Sequence, residues 1–61
     1  MYIVYTQIHE NHTIERWYYG TYETAERADE VALALGNEYP TFHCVCKAEE
    51  ANDYGIQNLP F

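Results

Sequence analysis

From Tyr2 to His9 the chain is rich in β-formers with an apolar first half, and strict alternation of side chains along a strand sets Tyr2, Val4, Thr6 and Ile8 against Ile3, Tyr5, Gln7 and His9. Two-residue periodicity in a stretch rich in Tyr, Ile and Val predicts a first β-strand over 2–9. Glu10-Asn11-His12 interrupts it with polar turn residues, and the β pattern resumes over Ile14 to Tyr22, so the two strands form a hairpin. The period then changes. Ala25, Ala28, Val31, Ala32 and Leu35 recur at spacings of three and four, the mark of a helix with one apolar face. After Pro40 alternation returns, with Phe42, Cys44 and Cys46 set against His43, Val45 and Lys47, and predicts a third strand over 41–47.

Both helix ends are specified locally. Thr24 is the N-cap, its hydroxyl accepting from free first-turn amides, while Glu23 and Glu26 stand where the helix dipole favours negative charge. Gly36 can turn left-handed to close the helix and Pro40 opposes its resumption, which bounds it at 25–35. A right-handed crossover through this helix lays strand three parallel to strand two and beside strand one. The expected fold is α+β: ββαβ, with a three-stranded antiparallel sheet in order 2-1-3 and one helix on one face. The remaining residues, 48–61, form a tail that packs along an edge or stays mobile.

Three of the five residues on the helix's apolar face are alanines, which let it approach the sheet closely. One helix covers one sheet face. The chain has seven tyrosines and one tryptophan, more than so thin a core can hide, so several of Tyr2, Tyr5, Trp17, Tyr18, Tyr19 and Tyr22 are expected on the open face. Tyr5, Trp17 and Tyr19 are the candidate aromatic interface, since such rings combine area with a polar tip.

Length and charge narrow the function. A chain of 61 residues reads as one domain, and at that size folding buries only about 60% of the unfolded surface, so self-association or a bound partner is expected to supplement the core. A homodimer is the expected state. Ten acids against three bases give a formal charge of −7, which repels phosphate backbones and points away from direct nucleic-acid binding towards a basic, nucleic-acid-handling protein partner. The alternative is acidity that serves solubility alone. No apolar run is long enough for a membrane span and no signal-peptide pattern is present, so a soluble, cytoplasmic protein is expected.

The candidate docking residues are Glu23, Glu26, Asp29 and Glu30, with Leu33 among them as an apolar anchor, and Glu49, Glu50 and Asp53 extending the negative field. Catalytic, metal and cofactor chemistry find little footing. Cys44 and Cys46, two apart on a strand with α-carbons about 6.6 Å apart, are poorly placed for a bridge and read as reduced thiols. His43 leaves the opposite face of that strand, so four metal ligands do not converge and no Cys-His nucleophile pair forms. Among three glycines there is no phosphate-cradling loop.

Three resemblances accompany this reading. Trp17-Tyr18-Tyr19-Gly20-Thr21-Tyr22-Glu23-Thr24-Ala25-Glu26-Arg27-Ala28 resembles the strand-to-helix joint of the plant ethylene-response-factor DNA-binding domain, and Asn58-Leu59-Pro60 its end. That family reads DNA with arginines on its first strands, where this chain has Arg16 among acids, so only the joint carries over. In size, charge and element order the chain is similar to small acidic phage-encoded inhibitors, including those of uracil-DNA glycosylase and some anti-CRISPR proteins, which implies inhibition by mimicry of nucleic-acid charge. Gln57, Leu59 and Phe61 resemble the peptide by which bacterial proteins dock on the replication sliding clamp, although the spacing departs from the usual form. The competing expectation is that Ile56, Leu59 and Phe61 fold back over the core edge.

Overall fold

A computed structural model describes all residues from Met1 to Phe61. Strands β1 (Tyr2–Glu10) and β2 (Thr13–Tyr22) form the hairpin, helix α1 (Ala25–Leu35) crosses over, and β3 (Thr41–Lys47) completes the sheet. The sheet order is β2-β1-β3, with β1 antiparallel to both neighbours. Thr24 caps α1 as its sequence dictates, its hydroxyl accepting from Arg27 N–H at 3.1 Å. At the other end Gly36, at φ 76°, returns its N–H to the carbonyls of Ala32 and Leu33.

The pleat of β1 sorts the core into two halves. Val4, fully buried, lies on the face of β1 that α1 covers, and Ala28 of α1 is also fully buried. Ile3 and Tyr5 face the other way with their β3 partners Cys46 and Cys44. That second face is not open. After β3 the chain turns into a 3₁₀ helix (Ala48–Tyr54) and returns beneath the sheet, burying Ala51 and Ile56 against Ile3, Tyr5 and Cys46, with Leu59 packed at the margin. The tail also runs parallel to the outer edge of β2: Gln57 N–H donates to Arg16 carbonyl at 2.8 Å and Tyr18 N–H to Gln57 carbonyl at 2.9 Å.

The expectation of an aromatic open face is therefore corrected. The chain supplements its small core with its own last residues, and Tyr5 is left 7% exposed beneath them. Strict alternation along β2 also fails, because a β-bulge opposite Val4 and Tyr5 leaves Tyr19 without a partner. The bulge changes the phase of the strand. Tyr18 stays on the tail side opposite Tyr5, Gly20 and Tyr22 move to the helix side, and Tyr19 is pushed outward. Gly20 leaves room for the Tyr22 ring, which folds back over it: a β-carbon there would stand 2.7 Å from the Tyr22 hydroxyl, so the ring would have to swing away.

Candidate functional site

With Ala28 turned to the sheet, the helical repeat carries Glu26, Asp29, Glu30 and Leu33 to the outer side of α1, where all four are exposed. Glu23, just ahead of the cap, is exposed as well. Leu33 is 83% exposed, the most exposed large apolar side chain in the molecule, and carboxylates flank it on the turns below. Little positive charge offsets them. Arg27 reaches Glu30 at 3.6 Å, but both side chains are well exposed and such a pair contributes little. Arg16 is committed elsewhere, donating from Nε to Gln7 at 2.8 Å and from a terminal nitrogen to the Tyr54 carbonyl at 3.1 Å. Chemically the surface can present carboxylates around a hydrocarbon knob to a cationic partner. It has no enclosed volume in which to hold a small reactant.

Glu49, Glu50 and Asp53 do not extend this surface. They lie on the 3₁₀ helix, on the other side of the sheet from α1, and Glu50 is half-buried. The two acidic groups approach each other only round the end of the sheet where α1 and the 3₁₀ helix both begin. The aromatic set is likewise dispersed: Tyr5 is buried under the tail, Trp17 is half-buried opposite Thr6 on the helix side, and Tyr19 projects from the bulge at 49% exposure. These three do not form one interface.

The C-terminal trio divides too. Gln57 is tied by its backbone to β2 and Leu59 packs on the core, so docking by this peptide on another protein would require pulling it off its own sheet. The Gln57 side chain stays exposed although its backbone is held, and Phe61 is on display at 66% exposure, beside Met1, Thr21, Ala48 and Glu49. One exposed group escaped the sequence reading. Tyr39 packs edge-on to Phe42 and Phe42 to His9, with centroids 6.4 and 5.0 Å apart, at the hairpin end of the tail face where Ile14 is also exposed. The period of β3 places Phe42 and the hairpin places His9; Tyr39 precedes the strand, so no periodicity signals it.

The titratable groups of the core are held in their neutral forms. Burial pushes the Tyr5 hydroxyl up to about 12, with Cys44 and Cys46 adding to the effect and Arg16 opposing it. Burial likewise raises the Cys46 thiol, helped by Glu50 and then Cys44. A thiol so placed is a poor nucleophile. His43 leaves the helix side, its Nδ1–H donating to the Gly36 carbonyl, far from the thiols across the sheet. No three His, Cys, Asp or Glu side chains are grouped to hold a metal ion, and no helix is long and apolar enough to cross a membrane. Comparison with protein-family models, with curated proteins and with solved structures gives no significant match to this chain.

Proposed function

We propose that this chain is a non-enzymatic protein-binding module that sets the acidic face of α1 into a basic cleft of a DNA- or RNA-handling protein, in the manner of a phage-type inhibitor. The observation that carries the reading is Leu33, 83% exposed among Glu26, Asp29 and Glu30. An apolar side chain held out in a field of carboxylates has no role in the fold, and it matches a socket ringed by Lys or Arg. Electrostatics would guide encounter and the leucine would contribute burial at the centre of contact. A dimer built on the aromatic sheet face is less favoured, since the tail occupies that face.

Affinity capture from bacterial lysate on the immobilised chain, with Leu33→Ser and Asp29→Asn/Glu30→Gln chains alongside, tests this. The expected result is a basic nucleic-acid-handling protein retained by the native chain and released by salt, and retained poorly by both variants. Equal capture by all three, or capture indifferent to salt from about 50 mM to about 500 mM, rejects charge mimicry.

A further inference from the structure

Every sheet of this kind has two edges, and this chain seals its edges unevenly. On β2 the tail occupies the middle, with Gln57 taking the Arg16 carbonyl and the Tyr18 N–H. What remains open at its hairpin end lies beside the exposed Glu10 and Glu15, where a second acidic chain would meet like charge. On β3 the first half is closed: Thr41 exchanges backbone hydrogen bonds with Glu38 at 2.8 and 2.9 Å, and the Asn37 side chain accepts from His43 N–H at 2.6 Å. The second half is not. Because Thr41 and His43 point their backbone groups outward, Val45 and the Lys47 N–H do so too, and neither these nor the His43 carbonyl has a backbone partner, while the Lys47 carbonyl opens the 3₁₀ helix. No carboxylate lies within β3.

We infer that this open stretch pairs with the same stretch of a second copy, antiparallel and centred on Val45, to give a continuous six-stranded sheet. The blocked His43 N–H fixes the register. With Val45 opposite Val45, the two valines exchange both backbone bonds, and each Lys47 N–H reaches the partner's free His43 carbonyl; shifting the centre to Lys47 would run the strand into the 3₁₀ helix. In this stretch two chains of charge −7 meet without a carboxylate in the paired strands. The pairing places both acidic helices on one face of the double sheet and leaves Leu33 outward in each. It does not depend on what the helices bind. So short a contact belongs to the weak, concentration-dependent class.

The register makes a chemical prediction. Residues whose numbers sum to 90 stand opposite, so Cys44 faces the partner's Cys46 at a non-hydrogen-bonded position, with α-carbons about 4.5 Å apart and within disulfide range. Diamide would take up the two thiol protons and the electron pair as each S–S bond forms, the half-buried Cys44 reacting first and the buried Cys46 closing the bond slowly, so exposure to the oxidant is prolonged to hours. Cys44→Ala alone and Cys46→Ala alone have no thiol opposite a thiol, whereas a mixture of the two does. The expected result on non-reducing gels is a covalent dimer from the native chain and from the mixture, and little from either variant alone. Equal crosslinking by either single variant, or none in the mixture, overturns the register. Independently, sedimentation from about 10 µM to about 1 mM in 0.5 M salt should show a monomer–dimer equilibrium that Val45→Pro weakens at least about tenfold, since proline removes the central donor while the β1 ladder is kept. A native chain that stays monomeric at the highest concentration, or a folded Val45→Pro chain that dimerises equally well, overturns the pairing.

Discussion

Tyr5 lies beneath the returning tail, and the burial that holds its hydroxyl at about 12 ties folding to alkaline pH. The unfolded phenol gives up its proton near 10.0 and the folded one only near 12, so the folded chain binds that proton more tightly. The resulting stability is complete below pH 10 and is lost as pH rises through 12. Cys46, raised for the same reason, adds a loss of the same sign. Thermal melts between pH 8 and 12 should therefore show a falling Tm, with a shallower decline in Tyr5→Phe; parallel slopes in the two proteins would remove Tyr5 as the cause. A second residue-level consequence concerns His9. Arg16 can only donate, so Gln7 offers it the amide oxygen at 2.8 Å and turns its nitrogen to His9 Nε2, also at 2.8 Å. His9 Nε2 must then accept, and the ring proton sits on Nδ1. Nitrogen-15 NMR at neutral pH should find that tautomer in the native chain and a mixture in Arg16→Met; a dominant Nε2–H form in the native protein would contradict the network.

At the level of elements, the tail behaves as a third layer. Ile56, 7% exposed in the core cluster, should cost about 2–4 kcal/mol when cut to alanine, and Thr24→Ala about 1 kcal/mol through the lost cap. Deleting Asn58 to Phe61 removes the Leu59 contact but spares the Gln57 bonds to β2, so about 1–2 kcal/mol is expected. Urea titrations decide: a deletion costing nothing would mean that Leu59 is not part of the core. The helix, its caps and β3 were legible because each rests on local chemistry, Thr24 and Gly36 for the ends and alternation for the strand. The order β2-β1-β3 followed from connection rules. The expected fold-back of Ile56 and Leu59 over the core is met, though not by the exposed Phe61. The bulge at Tyr19 and the 3₁₀ turn that buries Ala51 were not legible, for a shared reason: a bulge is a mismatch between two strands, and the burial of Ala51 is decided by the apolar face that Ile3 and Tyr5 offer across the chain, so neither leaves a periodic trace in its own segment. The outward helix acids and Leu33 could be placed from the 3.6-residue repeat alone, whereas the separation of Glu49 and Asp53 from them depended on the unseen turn after Lys47.

Over the whole molecule, charge works against the fold. The ten carboxylates are spread over a body only 34 × 24 × 14 Å across, with a single ion pair between side chains. At physiological salt the screening length is about 8 Å, so only neighbouring carboxylates repel one another appreciably; as salt is lowered the repulsion reaches across the folded chain, and unfolding relieves it. Added sodium chloride should raise Tm, most steeply at low concentration. The helix acids separate into two kinds. Glu26 sits in the first turn, where the helix dipole favours it, and Glu26→Gln should lower Tm slightly. Asp29 and Glu30 lie beyond that turn, where the dipole no longer compensates them, and Arg27 offers Glu30 only an exposed contact. Asp29→Asn/Glu30→Gln should therefore raise Tm by about 2–4 °C, from relief of about 0.5 kcal/mol of repulsion in so small a domain, and should flatten the salt response. Stability gained by removing the residues proposed to bind a partner is what a docking surface kept at the expense of the fold would show. A lower Tm in that double variant, measured calorimetrically at about 20 mM salt, would mean instead that the fold itself holds these carboxylates in place, and their presence on α1 would no longer call for a partner.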